Sequence, residues 1–298
     1  MGRPPDHTPD GCLGPGACRR CAIHFSDIAM NTSTAFSAVL AQAQPLDEGA
    51  LQFHVTEDWT QGRTAFGGLQ GAMALTAMRR LVPATVPLRV LQTTFIGPVP
   101  PGAVVVRARV LRTGKSVTHA QAQIEVDGAV ACLVVGVFGS ARESSLQLER
   151  ATYPQLPAVD TLRDMPLFPG MTPNFLTHCA MRWALSTPPF TGASDAHSGI
   201  YIRLDEPATS EAHLVAITDI IPTPALSLLK KPTPASSLTW TLELLRHDIA
   251  ETGPAPGWWL MDAEVTYGAG GYISQTALLW DAQRRPVALS RQTVTVFG

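Results

Sequence analysis

Lysine is almost missing from this chain: it occurs only at Lys115, Lys230 and Lys231, and arginine supplies the rest of the positive charge. Charged residues make up 15% of the 298 positions, and the formal net charge is -2. A chain so near neutrality gives no electrostatic ground for binding nucleic acid or an anionic membrane surface. No segment approaches the ~18 consecutive apolar residues that a membrane-spanning helix needs. The first residues, MGRPPDHTPDGC, lack the apolar core of a secretory signal. The expectation is a cytoplasmic protein with neither nucleic acid nor membrane as partner.

Familiar catalytic signatures are scarce as well. No Gly-x-Ser-x-Gly elbow is present, and the histidines show no spacing that suggests a triad. Asp195 and His197 share the stretch SDAHSG, which reads as a loop. Gly-rich nucleotide loops, HExxH and EF-hand patterns are all absent. Of five cysteines, Cys132 and Cys179 sit in apolar surroundings and read as small core residues. Cys12, Cys18 and Cys21 cluster with His7 and His24, but without the paired CxxC spacing of a metal site. No metal or cofactor is expected. Residues 1–29 read as a disordered leader rich in Pro, Gly and polar residues. The stretch MNTSTAFSAVLAQ from Met30 looks like a chain start.

What is present is apolar patterning. Hydrophobic residues make up 45% of the chain, enough to give one large or two ordinary domains a full core. Residues 88–139 read as four strands separated by the turns PVPPG, TGK and DG. Val104–Val106–Ala108–Val110 and Ala120–Ala122–Ile124–Val126 alternate as half-buried antiparallel strands do. The stretch LQFHVTEDW before them predicts a strand. FGGLQGAMALTAMRRLV predicts a helix, with Leu69, Met73, Ala77 and Leu81 on one stripe.

The carboxyl half repeats this order. SGIYIRL predicts a strand, 209–231 a helical stretch, and four further segments from SSLTWTLELLRH to PVALSRQTVTVFG a meander. Pro101–Gly102 matches Pro256–Gly257, Asp127 matches Asp281, and both halves end in Val-Phe-Gly. The fold expected is α+β, a double hotdog: two strand-helix-meander repeats forming one continuous antiparallel sheet around two helices. The domains expected are a leader at 1–29, hotdogs at 30–140 and 174–298, and a linker at 141–173 in contact with the body.

One residue stands out in the second helical stretch. HLVAITDIIPTPALSLL is apolar on nearly every side, yet carries Asp219 at its centre. A buried charge is costly unless something pairs it, hydrogen-bonds it or uses it. Asp219 ahead of Pro222 could also cap a helix turn.

With Trp59, Arg63 and Phe66–Gly67–Gly68 in the first half and DIIPTPAL, SSLTW and ALSRQ in the second, the chain resembles the double-hotdog acyl-CoA thioesterases of the bacterial thioesterase II type. The resemblance runs from about residue 45 to the end, interrupted by the linker. It implies that an aspartate, a hydroxyl residue and a glutamine hold the water that attacks the thioester. These fall on Asp219, Ser237 and Gln292. The family has threonine where this chain has Ser237, and Thr239 and Thr241 offer further hydroxyls on the same face of the strand. The pattern of a hotdog enoyl-CoA hydratase, Asp-x-Asn-Pro-x-His, is absent.

Each residue also has a plainer use. Gln292 could be an outward polar residue, Ser237 a strand-start hydroxyl, and Gly67–Gly68 a helix–sheet packing device. The functional alternative makes Phe66, Gly67 and Gly68 the substrate-binding turn, with backbone N–H groups at a helix start serving as oxyanion donors. Lys230, Lys231 and Arg246 could meet coenzyme A phosphates or be solvated surface charge. Aligned on the first half, Asp219, Ser237 and Gln292 fall near Thr64, Leu88 and Leu133, so the polar trio has one copy. The function expected is hydrolysis of an acyl-CoA to free acid and coenzyme A by a homo-oligomeric enzyme; the alternative is a non-catalytic acyl-CoA binding or sensing protein.

Overall fold

A computed structural model describes Gly2 and residues 33–247 and 257–297. The leader and its cysteine cluster therefore lie outside the described residues. In chain order the elements are α1 (Phe36–Ala41), β1 (Gln44–Asp47), β2 (Ala50–Val55), the short strands β3 (Thr60–Gln61) and β4 (Thr64–Ala65), and α2 (Gly67–Arg79). The first meander follows as β5 (Leu88–Phe95), β6 (Gly102–Thr113), β7 (Val117–Val126) and β8 (Ala129–Gly139). After the linker come β9 (Cys179–Leu185), β10 (His197–Leu204), α3 (Glu211–Ile217) and α4 (Ala225–Leu228). The second meander is β11 (Ala235–Leu244), β12 (Trp259–Ala269), β13 (Tyr272–Trp280) and β14 (Pro286–Val296).

Twelve strands form one antiparallel sheet in the order β1-β2-β6-β7-β8-β5-β11-β14-β13-β12-β10-β9. Outward from the centre, β5-β8-β7-β6-β2 on one side is mirrored by β11-β14-β13-β12-β10 on the other. This is the double hotdog. The halves meet where β5 pairs with β11, from Thr239 opposite Thr94 to Glu243 opposite Val90. Each half thereby covers a sheet edge of the other, an edge that would otherwise invite pairing with a foreign strand. The outermost strands β1 and β9 mirror one another at the two edges of the sheet, and sequence alternation did not announce them.

Helix α2 is buried nearly all round, from Gly68 through Met78, which explains why its sequence lacks a polar face. Helix α3 lies antiparallel beside it. Arg79 at the end of α2 forms a two-pronged ion pair with Glu211 at the start of α3, with Arg79 Nη2 2.6 Å from Glu211 Oε2. At the other end, Gly68 lies against Ala216.

The second helical stretch is shorter than its apolar pattern suggests. Instead of running through 209–231, α3 ends at Ile217, and α4 is a single turn. The Thr218 hydroxyl donates back to the carbonyls of Leu214 and Val215. Pro222 and Pro224, which have no N–H to donate, keep the helix from resuming at once. The linker covers the outer face of the second half, where Tyr153, Leu156, Val159 and Leu162 pack on Tyr201, Leu260 and Trp280.

Candidate active site

Asp219 sits in the turn immediately after α3, its N–H donating to the Ala216 carbonyl. It is half-buried and faces two elements far away in sequence. Gln292 Nε2 donates to Asp219 Oδ1 at 2.6 Å, and the Gly68 backbone N–H donates to the same carboxylate. Gly68 is in the first turn of α2, whose N-cap residue Phe66 makes no side-chain cap. Asp219 therefore does cap a helix, but a neighbouring one. A carboxylate there satisfies an orphan donor and meets the positive end of the helix dipole.

Burial is the stronger influence on this acid. Desolvation pushes the Asp219 carboxyl up from the usual carboxylate range to about 7, against the opposing pull of the Gln292 and Gly68 hydrogen bonds. Asp219 thus changes charge near neutral pH while remaining held in place.

Gln292 is on the inner face of β14, between Ser290 and Val294, both buried. Its cross-strand partner is Trp240 on β11. Ser237 joins the group through an irregularity. In β11, Trp240, Leu242 and Leu244 are buried, so unbroken alternation would send Ser237 outward with Thr239 and Thr241. A bulge between Ser237 and Thr239 breaks that alternation. The Ser237 hydroxyl consequently turns inward and donates to Gln292 Oε1 at 3.2 Å, whereas Thr239 is exposed. The chain from Ser237 to Gln292 to Asp219 is continuous, with each hydrogen bond running towards the acid.

The turn opening α2 behaves differently at its three positions. Phe66 departs from the substrate-binding expectation because its ring is 1% exposed. It stacks on Phe175 at 4.1 Å and lies beside Trp59. Gly68 is filled from below: an added Cβ would lie 2.6 Å from the Phe66 ring and 2.9 Å from Ala216 Cα. Gly67 faces the acid, where an added Cβ would lie 2.5 Å from Asp219 Oδ2 and 3.0 Å from Phe95 Cζ. The packing use and the site-forming use of this pair are thus divided between the two glycines. Gly68's N–H is already engaged by Asp219.

Of the three cations, Lys230 and Lys231 are exposed just ahead of β11, at the Ser237 end of that strand. Arg246 follows the opposite end, about 30 Å away at the usual rise per strand residue. It pairs with Glu149 and does not belong to this site.

The mirrored strand order also corrects the sequence alignment of the repeats. Bulges in β5 after Leu88 and in β11 after Ser237 bring Leu88 into register with Ser237. Gly136, which pairs with Leu91 on the inner face of β8, then corresponds to Gln292, which pairs with Trp240. The residue lying over Gly136 is Met78, whose Sδ would be 3.0 Å from an added Cβ. The counterparts are Met78, Leu88 and Gly136, not Thr64, Leu88 and Leu133. All three are apolar, so the polar group exists in one half only.

The family model for the acyl-CoA thioesterase N-terminal domain matches residues 55–139, and the model for the acyl-CoA thioesterase C-terminal domain matches 155–296. Together they span well over half of the chain. The protein belongs to the double-hotdog acyl-CoA thioesterase family. It is a thioester hydrolase. A conserved hot dog fold protein of unknown function from Alicyclobacillus acidocaldarius is 23% identical with a TM-score of 0.80, covering 89% of this chain and 99% of its own. The acyl-CoA thioesterase II of Mycobacterium marinum is 16% identical with a TM-score of 0.70, covering 89% and 99%. At these identities the two structures speak for the thioesterase's fold alone. No curated protein sequence matches the chain.

Proposed function

We propose that this thioesterase hydrolyses acyl-CoA through a water activated by Asp219 and oriented by Gln292 and Ser237. The observation that carries this reading is the desolvated Asp219 carboxyl at about 7, fixed by hydrogen bonds from Gln292 and Gly68. A base whose pKa lies near the working pH combines basicity with a useful ionised fraction.

The remaining atoms suit the task. With one Gln292 N–H on Asp219 and its carbonyl on Ser237, the second N–H and the Ser237 lone pairs are left to orient a water beside Asp219 Oδ2. Asp219 removes a proton as the water oxygen bonds to the thioester carbonyl carbon. Negative charge builds on the carbonyl oxygen, next to the positive end of α2 at Gly67. Collapse of this intermediate breaks the C–S bond, and the thiolate leaves as coenzyme A after taking up the proton. Phe66 supports the turn from below. Lys230 and Lys231 lie at the end of β11 from which the phosphates of coenzyme A can be met.

Thiol release from a panel of acyl-CoAs tests this directly. Asp219→Asn should lower turnover by at least ~100-fold, the range expected for loss of a general base, while acyl-CoA binding persists. Equal rates for both proteins would remove Asp219 from the mechanism. Tight binding without turnover by the unaltered protein would favour a sensor.

A further inference from the structure

The inner face of the second half holds a further polar side chain beside this site, one that the proposed reaction leaves unused. Gln275 is on the inner face of β13, with buried Ala277 and Leu279 following it on the same side. It is 5% exposed, and its Oε1 is buried without a hydrogen-bond partner among the described residues. Buried polar groups of this kind are few in folded proteins, and each calls for an explanation. An unbonded carboxamide weakens a core, because it has given up water without gaining a partner. Leucine or methionine would pack on this face of the sheet equally well, so the fold alone does not require glutamine.

The strand register supplies the explanation. Gln275 pairs directly with Gln292 across the β13–β14 ladder. Side chains so opposed have Cβ atoms about 4.5–5.5 Å apart. The other neighbours of Gln275 on this face of the sheet are apolar: Val265 across β12, and Ile273 and Ala277 along its own strand. Gln292 has already given one N–H to Asp219, and its carbonyl accepts from Ser237. Its second N–H is a donor and Gln275 Oε1 is an acceptor, yet the two glutamines make no hydrogen bond to each other. A water between them satisfies complementary groups that stand side by side without bonding directly.

We infer that Gln275 is a further catalytic residue of this thioesterase, holding the attacking water through Oε1. All four hydrogen-bonding positions of that water then have a use. It accepts from the second N–H of Gln292, and donates one O–H to Asp219 and the other to Gln275 Oε1. Its remaining lone pair is left for the thioester carbonyl carbon. As the C–O bond forms, Asp219 takes the first proton, and the second stays on the oxygen, against Gln275, as the hydroxyl of the tetrahedral intermediate. The C–S bond breaks, the thiolate takes up the proton from Asp219, and the hydroxyl leaves as part of the acid. Ser237, bonded to Gln292 Oε1, fixes the carboxamide that presents the N–H. This role rests on the proposed water attack at Asp219 and adds a residue to it.

The experiment measures kcat, KM and melting temperature for Gln275→Met and Gln275→Leu, with a panel of acyl-CoAs of different chain length. Both variants remove the amide oxygen and keep a side chain of similar size. In each, kcat should fall ~10-fold or more, as for a lost hydrogen bond, by the same factor on every acyl chain and with KM little changed. The melting temperature should hold or rise, because an unbonded polar group has left the core. An unchanged kcat in either folded variant overturns the inference. So does a loss that varies with chain length, which would put Gln275 against the acyl group. A loss matched by a lower melting temperature overturns it too, marking the carboxamide as structural. Asp219→Asn, run alongside, separates the two claims. Normal turnover there with an impaired Gln275→Met refutes the base and leaves the water site standing; the reverse keeps the base and removes Gln275.

Discussion

Ionising Asp219 sets the surrounding core against the chemistry. Its folded-state pKa, about 7, is above the usual 3.8, so the folded protein binds this proton more tightly than the unfolded chain does. The resulting stabilisation is fully present below pH ~4 and is lost as pH rises through ~7. Activity should move the other way: kcat/KM should climb with pH and level off above ~7, because the base must be ionised. Asp219→Asn keeps the shape and removes the charge. Its melting temperature should exceed that of the unaltered protein at pH 8, and the gain should fade as the comparison moves to pH 5. A variant less stable at pH 8 would show that the carboxylate is well solvated. The acid itself was legible in the sequence as one charge in an apolar run. Its partners were not, because Gln292 and Gly68 are distant in the chain and only the resemblance pointed to the glutamine.

At the scale of elements, the site depends on two local departures from regularity. The bulge in β11 turns Ser237 inward, and alternation read from SSLTWTL grouped it with Thr239 and Thr241 because a bulge has no signature in the residues themselves. Removing Leu238 would restore unbroken pairing and keep Ser237 inward opposite Val294. The deletion should leave a folded sheet that retains turnover well above that of Ser237→Ala; a normal rate in Ser237→Ala would show that the Ser237 hydroxyl does not contribute. The second departure is the glycine-rich start of α2. Gly67→Ala places a methyl group against Asp219 Oδ2 and Phe95, which should displace the carboxylate and reduce kcat about 100-fold, as a misplacement of this size commonly does. Gly68→Ala instead meets Phe66 and the Ala216 backbone, and should cost about 1–3 kcal/mol of stability as overpacking does. Denaturant unfolding and turnover of the two variants would separate these effects. Apolar periodicity identified α2 well. It overextended α3, because the residues after Ile217 stay apolar for packing reasons although Thr218 and the prolines end the helix.

Across the whole molecule, the repeat was visible because both halves keep the same order of elements and share Pro-Gly and Asp at corresponding turns. Its consequence for the site was less visible, since bulges shift the correspondence from Thr64 and Leu133 to Met78 and Gly136. The two halves share one sheet through β5 and β11 and one helix pair through Arg79 and Glu211. Glu211 also accepts the Leu88 N–H at the start of β5, so a single carboxylate links both helices to the strand at the junction. These contacts predict one cooperative unfolding unit in place of two independent hotdogs. Five of the six tryptophans, Trp183, Trp240, Trp258, Trp259 and Trp280, belong to the second half, and only Trp59 to the first. Tryptophan fluorescence therefore reports mostly on the second half, while far-UV circular dichroism reports on both. Their denaturant midpoints should coincide. Glu211→Ala strands Arg79 and the Leu88 N–H, and should lower stability by about 2 kcal/mol, less than for a fully buried pair because both side chains retain some contact with water. Both probes should shift together. Midpoints that separate in either protein would mean that the β5–β11 junction does not couple the halves.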